Sequence, residues 1–266
     1  MLSFGAAWLG IFRSEEPGIA LARRALELGI NFFDTARDYG SSEERLGKAL
    51  EGRRKDVILM TKVNARTRSG ALEQLETSLR MLRTDYLDVW QVHSVGLQQD
   101  LDQVFGPHGA MEAVLAAQKA GKVRFVGITG HKDPEINRKA LDYYNFDTMQ
   151  IPLNVVDPFY RSFEKTVLPE LVRRNAGVLA MKSMAGGWLL QRAVARPREA
   201  LPYVWSLPVA TVISGVQTVE QLEENAALAR TFRPLSDKQK AALLARVQPH
   251  AGTQTEYYKL KPDGTP

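Results

Sequence analysis

The sequence predicts an α/β protein of the (β/α)8 TIM barrel class, in which residues 1–266 form one domain. Short apolar stretches alternate with segments of helical periodicity along the chain, which is typical of parallel strands connected by helices. Several stretches, such as residues 56–63, are apolar without alternation, as strands buried on both faces are. The 266 residues also suffice for one barrel, which needs about 250.

An open, doubly wound sheet is the alternative arrangement of the same elements. Its phosphate-binding turn, Gly-x-Gly-x-x-Gly, does not follow the first predicted strand, so the barrel is favoured. The eight strands are predicted at residues 1–9, 30–33, 56–63, 86–93, 123–128, 148–152, 178–181 and 209–213.

Helices are expected between the strands. One begins at the Ser-Ser-Glu-Glu run of residues 41–44, a pattern typical of a helix N-cap. The polar stretch 94–109 is long for a βα connection, so we interpret it as a lid or substrate loop, and the tail from Pro249 is predicted as loop. Helices are predicted at residues 16–28, 41–50, 70–82, 110–120, from 133 onward, 163–174, 197–207, 218–230 and 236–247.

Composition excludes several classes of protein. The net charge of +5 is spread among acidic residues, which favours an ordinary solvated surface over nucleic-acid binding. The absence of cysteine excludes disulfides and thiolate metal sites, and the four histidines are too dispersed to indicate a metal centre. No apolar run approaches the ~18 residues of a membrane span, and no leader pattern opens the chain, so a cytoplasmic protein is expected.

Residues 31–50 combine a short strand, an aspartate where that strand should end, a turn and a helix start. The strand reaches Asp34, and the chain then turns through Tyr39-Gly40. Ligands bind and chemistry occurs at the carboxyl ends of strands in α/β barrels. The sequence therefore places the functional site around Asp34 and Tyr39.

This run resembles the signature of the aldo-keto reductases: Asn-Phe-Phe-Asp-Thr-Ala at residues 31–36, any two residues, then Tyr39-Gly40, met at every position. The resemblance implies a barrel that reduces an aldehyde or ketone with NADPH, with NADH as an alternative. Members usually begin with a β-hairpin that plugs the bottom of the barrel, and this sequence has no residues for it, so either the plug is absent or the sequence begins after it. A bare barrel base could support self-association, but the oligomeric state is left open.

Four residues carry the expected chemistry. Asp34, Lys62 and His93 end the second, third and fourth predicted strands, and Tyr39 follows the second. A phenol is a poor acid near neutral pH, and a neighbouring ammonium stabilises its phenolate. An aspartate keeps that ammonium charged, and a neutral histidine can hold the carbonyl oxygen. These types match the family's tetrad, in which the tyrosine is the acid/base.

The resemblance also implies cofactor contacts in five segments of the chain. Three features depart from the usual pattern. Thr129-Gly130-His131 replaces a Ser-Asn pair, and Gly215 stands where NADP-preferring members often have a basic residue. Met181 occupies the place of a stacking aromatic, and Lys182 could meet a phosphate. The expected contacts are Gly5, Ala6, Thr129, Gln150, Met181, Lys182, Ser183, Ala185, Gly186, Ser214, Gly215, Val216, Gln217, Gln221, Glu224 and Asn225.

Two other functions stay open at the level of sequence. The barrel could be a nicotinamide-binding regulatory subunit with little turnover, or an aldolase that uses Lys62 as a Schiff-base nucleophile. The sequence does not identify the substrate, which would be a small carbonyl compound or alcohol. Apolar pocket walls are expected from Tyr160, Trp188 and Trp8, and specificity from the loops 94–109 and 186–198 and the tail after Pro249.

Overall fold

Eight parallel strands form a closed barrel in the order β1 to β8, so the predicted (β/α)8 fold is confirmed. The computed structural model describes residues 1–260. Each strand pairs with the next, and β8 closes the barrel against β1 through the register Leu2↔Val212 to Gly5↔Gly215. The strands are β1 Leu2–Gly5, β2 Phe32–Asp34, β3 Ile58–Val63, β4 Leu87–Val92, β5 Val123–Thr129, β6 Thr148–Pro152, β7 Gly177–Met181 and β8 Thr211–Gly215.

Helices follow the strands. None of the helices within residues 1–260 combines the length and the apolarity that a bilayer span needs. The α-helices are α1 Glu16–Glu27, α2 Ser42–Ala49, α3 Arg68–Met81, α4 Gln98–Phe105, α5 Ala110–Lys119, α6 Pro134–Tyr143, α7 Phe163–Thr166, α8 Leu168–Arg173, α9 Trp188–Gln191, α10 Pro197–Trp205, α11 Val219–Arg230 and α12 Asp237–Val247.

Alternation along each strand decides which side chains enter the barrel. Polar residues inside it bond to one another: Ser3 Oγ lies 2.6 Å from Thr211 Oγ1, and Gln91 Nε2 donates to Thr148 Oγ1 over 3.2 Å. Gly127 permits the second pair, since a Cβ there would lie 2.3 Å from Thr148 Oγ1. A separate apolar cluster consists of Phe32, Met60, Val89, Leu179 and Ile213.

The lower end of the barrel, where the strands begin, is partly open to solvent. No hairpin precedes β1 within the described residues. Ile58 in β3 and Phe125 in β5 occupy positions that face the inside of the barrel. At this lower end they are 40% and 44% exposed. Self-association through this surface stays a prediction.

The strands β1 and β8 differ most from their predicted bounds. β1 ends at Gly5, and residues Ala6–Ile11 form a 3-10 helix, of which the sequence predicts residues 6–9 as strand. β8 begins two residues later than predicted and ends at Gly215. Apolarity alone did not distinguish the end of the first strand from the turn that follows, because Ala6 and Leu9 are buried in both arrangements.

Two predictions about helices were also wrong. The stretch 94–109 contains a helix, α4, whose Leu101 and Val104 are fully buried. The predicted helix 163–174 is divided at Val167 into α7 and α8. Pro169 explains the division, because it has no N–H for a helical bond to Lys165 and its ring would clash with that carbonyl.

The tail was predicted as loop, yet part of it is fixed by a buried ionic network. Residues Gln248–His250 and Tyr257–Lys259 form 3-10 turns, and residues 261–266 lie outside the described part. Lys259 is fully buried, and its Nζ lies 2.7 Å from Asp157 Oδ1 and 2.8 Å from Glu256 Oε1. The same amine donates to Tyr160 O over 2.7 Å, so the tail is anchored on the loop after β6.

We expect Lys259→Met to lower the free energy of unfolding by about 3 kcal/mol, because it leaves two buried carboxylates without their counter-ion. Urea denaturation followed by circular dichroism measures the change. The matched control is Lys238→Met, which removes an exposed lysine from α12 and should change stability little. Equal stability of the two variants would contradict the anchoring role.

Candidate active site

The carboxyl ends of the strands, here called the upper end of the barrel, bring the four predicted residues together. Asp34 ends β2, Lys62 lies one residue before the end of β3, and His93 follows β4 directly. Neighbouring strands are paired at these positions, so side chains separated by up to 59 positions in sequence become neighbours. Tyr39 comes from the turn after β2.

Lys62 and Asp34 form an ion pair inside the barrel, and both are almost fully buried. Lys62 Nζ also donates to Thr35 O over 2.8 Å, and Gln150 Nε2 donates to Asp34 Oδ2 over 3.3 Å. Burial by itself works to lower the pKa of Lys62, but Asp34 and the other partners outweigh it and hold the pKa above its ordinary value. Lys62 is therefore a fixed positive charge.

Tyr39 lies half-buried between Lys62 and His93. Lys62 Nζ is 5.0 Å from the centroid of the phenol ring, and the His93 ring packs edge-on at a centroid distance of 5.8 Å. Burial raises the pKa of Tyr39, the Lys62 ammonium works to lower it, and the Asp34 and Asp38 carboxylates add to the rise. The balance keeps the pKa above its ordinary value, so the phenol is protonated at neutral pH.

His93 is held by two residues that the sequence reasoning had not singled out. Its Nδ1 lies 3.3 Å from Asp38 Oδ1 and 3.1 Å from Asn64 Nδ2, and Asn64 Nδ2 also donates to Asp38 Oδ2. Burial lowers the pKa of His93 despite the nearby Asp38 carboxylate, so the ring is neutral at pH 7. When Asn64 donates to Nδ1, the ring proton sits on Nε2, which is then a hydrogen-bond donor.

The turn that carries Tyr39 rests on the 3-10 helix after β1. A Cβ at Gly10 would lie 1.7 Å from Tyr39 O, and Gly40 on the other side has a φ of 56°. Ser42 Oγ donates to Ala6 O over 2.7 Å, which joins the two segments again. Only glycine at position 10 permits this approach of the two backbones.

The predicted helix start at residues 41–44 is confirmed, with Ser41 at the N-cap position of α2, but no side chain makes a capping hydrogen bond there. Ser41 makes no capping hydrogen bond, and the Ser42 hydroxyl is used in the contact with Ala6. Glu43 is buried instead, where it accepts from Thr61 Oγ1 over 2.7 Å and forms an ion pair with Arg37. The spacing of Ser and Glu predicts that Glu43 helps to cap its own helix. In the folded chain its partners are Thr61 of β3 and Arg37 of the turn after β2.

Some of the predicted cofactor residues meet where β8 closes against β1. Gly5 pairs with Gly215, and Ala6 and Val216 are buried just beyond them. A Cβ at Gly215 would lie 3.4 Å from the Trp8 ring. Trp8 therefore lies against the end of β8, and its expected role as a wall of the substrate pocket stays a prediction.

The segment after β8 forms the start of α11. Gln217 N donates to Gln221 Oε1 over 2.8 Å, and Asn225 Nδ2 donates to Ser214 Oγ over 3.1 Å. Glu224, which directly precedes Asn225 in α11, is exposed. The predicted adenosine contacts thus occupy one helical start, where free backbone N–H groups favour a phosphate.

The segment after β7 turns sharply. Lys182, Ala185 and Gly186 have φ values of 57°, 49° and 68°. Met181 is 7% and Ser183 is 5% exposed. This turn brings the backbone close to the upper end of the barrel.

At the end of β5, Thr129 Oγ1 accepts a hydrogen bond from Ser94 N over 2.9 Å, and its own hydroxyl proton stays free to donate. Gly130 leaves space for Asn137 of α6, since a Cβ at Gly130 would lie 2.1 Å from both amide atoms. Asn137 Nδ2 donates to Val95 O over 3.0 Å, and its buried Oδ1 has no partner in the described residues. An amide is therefore present beside Gly130, supplied by a helix rather than by the strand end.

The other two expected pocket residues have contacts of their own. Tyr160 lies with its ring centroid 5.8 Å from Lys259 Nζ, and its buried hydroxyl has no partner among residues 1–260. Trp188 stacks under the Arg192 guanidinium at 4.5 Å. Neither contact joins them to the four residues described above.

We expect Gly10→Ala to lower the free energy of unfolding by roughly 2 kcal/mol, because the added methyl group forces two backbones apart. Chemical denaturation measures the loss. Ala7→Ser is the control, since Ala7 is exposed in the same 3-10 helix. Identical stability of the two variants would show that the turn around Tyr39 does not depend on this contact.

The neutral state of His93 predicts a dependence of stability on pH. The pKa of His93 is lower in the folded protein than its ordinary value of 6.5, so its contribution to stability is present above pH 6.5 and is lost as pH falls through the folded-state pKa. Denaturation at pH 7.5 and 5.5 should therefore show a smaller acid-induced loss for His93→Gln than for the wild type. A larger loss in the variant would mean that His93 is charged in the folded state.

Comparison with known proteins gives a consistent result. Residues 1–200 match the sequence profile of the Aldo/keto reductase family. The uncharacterized oxidoreductase YqkF of Bacillus subtilis (strain 168) is 26% identical over 304 residues, covering 96% of this chain and 94% of the relative.

Solved structures share the fold. The holo form of the aldo-keto reductase AKR11C1 from Bacillus halodurans aligns with a TM-score of 0.79 and 24% identity, covering 96% of this chain and 94% of that one. An aldo/keto reductase from Klebsiella pneumoniae, solved in complex with NADP and acetate, aligns with a TM-score of 0.74 and 23% identity over 93% of this chain and 91% of that one. With the profile match over residues 1–200, this chain belongs to the aldo/keto reductase family.

Proposed function

We propose that this protein reduces an aldehyde or ketone to an alcohol, reversibly, with NADPH as cofactor. The observation that carries the proposal is the contact of a protonated phenol, Tyr39, with a buried ammonium, Lys62, and a neutral imidazole, His93. The structure from Klebsiella pneumoniae that shares this fold was solved with NADP, which supports the choice of cofactor. A cytoplasmic location stays a prediction of the sequence.

The residues present fit a nicotinamide cofactor. Gln150 Oε1 is buried at the upper end of the barrel without a partner in the described residues, and it can accept from the carboxamide N–H group. The free Thr129 hydroxyl proton can donate to the carboxamide oxygen. The glycine pair Gly5 and Gly215 permits close approach, and the start of α11 suits the adenosine phosphate.

The choice between NADPH and NADH depends on positive charge near the ribose 2′ position, and the predicted contacts there, Gly215 and Gln221, carry none. Gly215 offers no positive charge, and Gln221 already accepts from Gln217 N. A phosphate on the ribose would therefore rely on backbone N–H groups at the start of α11. NADH is accordingly the alternative cofactor.

The tetrad residues can protonate the oxygen that becomes negative during reduction. A nicotinamide cofactor, when held by Gln150, Thr129 and the start of α11, would supply the hydride for the carbonyl carbon. Tyr39 donates its hydroxyl proton to the carbonyl oxygen, and Lys62 stabilises the phenolate that remains. Asp34 keeps Lys62 charged and fixed in direction. In the reverse direction the phenolate accepts the proton of the alcohol.

His93 positions the substrate. With Asn64 donating to Nδ1, the Nε2–H group faces away from Asn64 and can hold the carbonyl oxygen near Tyr39. Asn64 Nδ2 also donates to Asp38 Oδ2 over 3.0 Å, so Asn64 bridges the ring and this carboxylate, and the pKa of Asp38 is lowered although burial works to raise it. Its carboxylate is thus charged and limits rotation of the ring.

The ion pair of Lys62 argues against a Schiff-base aldolase. A nucleophilic lysine must lose its proton, whereas the partners of Lys62 raise its pKa and occupy its amine with Asp34 and Thr35 O. A regulatory subunit without turnover would not need the phenol, the ammonium and the imidazole in mutual contact. Both alternatives are therefore less well supported than reduction.

We expect Tyr39→Phe to lower kcat for NADPH-dependent reduction of benzaldehyde by at least about 100-fold, because the proton donor is lost. The cofactor should bind as before in a fluorescence titration with NADPH. Tyr143→Phe is the control, since Tyr143 is 45% exposed on α6 and is not part of the tetrad. Unchanged turnover of Tyr39→Phe would remove Tyr39 from the mechanism, and absent turnover in the wild type would contradict the proposed function.

A further inference from the structure

Lys182 is a cation at the upper end of the barrel that the proposed reduction does not use. It follows β7 directly, and its backbone is held in the left-handed region with φ 57°. Its Nζ lies 5.7 Å from the centroid of the Tyr258 ring, so the anchored tail covers one side of the ammonium. Burial lowers the pKa of Lys182, and no nearby carboxylate opposes that effect.

The carboxylates around this position are already paired. Lys182 forms no salt bridge with any residue in 1–260, although several acidic side chains occupy the same end of the barrel. A half-buried ammonium without a counter-ion is costly, and a bound anion would remove that cost. The carboxylates paired with cations are Glu256 and Asp157 with Lys259, Asp133 with Arg161, and Asp34 with Lys62, whereas the Asp38 carboxylate contacts Asn64 and the neutral His93 ring.

A line of rings extends from the proposed proton donor to His131. The Tyr39 and His93 rings are 5.8 Å apart, and the His93 and His131 rings are 6.4 Å apart. His131 comes two residues after β5 and Lys182 directly after β7, so both lie at the upper end of the barrel. Burial holds the pKa of His131 well below its ordinary value, and the positive charge of Lys182 adds to that effect.

We propose that Lys182 and the neutral His131 form a subsite for an anionic group, a carboxylate, on the carbonyl substrate. This inference rests on the proposed reductase function, because the carbonyl must lie at Tyr39 and His93. The ammonium supplies the charge, and a ring nitrogen of His131 can donate a second hydrogen bond to the same carboxylate. The enzyme therefore prefers aldehydes with an acid group several bonds from the carbonyl carbon.

The resemblance in sequence supports a competing assignment, in which Lys182 meets a phosphate of the cofactor. Both assignments use the same chemistry, an anion beside a half-buried ammonium. They differ in what is lost with the charge: a carboxylate subsite affects acidic substrates alone, and a phosphate contact affects every substrate through the binding of NADPH.

The test compares 4-carboxybenzaldehyde with its methyl ester, two aldehydes that differ in one charge. For the wild type we expect kcat/KM to be at least about tenfold higher for the acid. Lys182→Met should lower kcat/KM for the acid about tenfold or more and for the ester less than about twofold, because a charge-assisted hydrogen bond is lost only with the acid. Lys182→Arg keeps the charge and should retain most of the preference.

The outcomes separate the possibilities. An equal loss for both aldehydes in Lys182→Met, together with weaker NADPH binding in a fluorescence titration, would overturn the subsite and assign Lys182 to the cofactor. Reduction of both aldehydes by the wild type without preference for the acid would also overturn it, while leaving the reductase function intact. Reduction of neither aldehyde by a wild type that binds NADPH would contradict the proposed function itself.

Discussion

The buried ion pair between Lys62 and Asp34 is the interaction on which the upper end of the barrel depends. Two charges inside a protein lose their hydration, and the loss is tolerable only when each has further hydrogen-bond partners. Thr35 O and the Gln150 amide supply them from β2 and β6, on different sides of the barrel. Closure of the barrel is therefore what makes the pair stable, and the pair in turn places a fixed positive charge beside Tyr39.

Burial favours the uncharged form of both Tyr39 and His93. It raises the pKa of Tyr39 and lowers the pKa of His93, so each keeps its neutral form at pH 7. Lys62 opposes the first shift and will make the phenol more acidic than burial alone would allow. A neutral phenol beside a neutral imidazole is the arrangement in which both can donate hydrogen bonds to one carbonyl oxygen.

Position in this site is controlled by backbone contacts as much as by side chains. Tyr39 belongs to a turn rather than to a strand, and the approach of Gly10 to its carbonyl group holds that turn in place. The tail is held beside Lys182 because Lys259 is buried between Asp157 and Glu256. Both contacts join segments remote in sequence, so the site is sensitive to substitutions far from its reactive atoms.

The sequence by itself determined the alternation of strands and helices and the positions of the tetrad residues. Both depend on local patterns: apolar periodicity marks each element, and the end of a parallel strand marks where a side chain enters the site. Tertiary structure alone decided the partners of buried polar groups. The Glu43 carboxylate accepts from Thr61, Asn137 fills the space beside Gly130, and Lys182 has no salt bridge among residues 1–260. Such partners come from distant segments, and only the folded chain determines which of them meet.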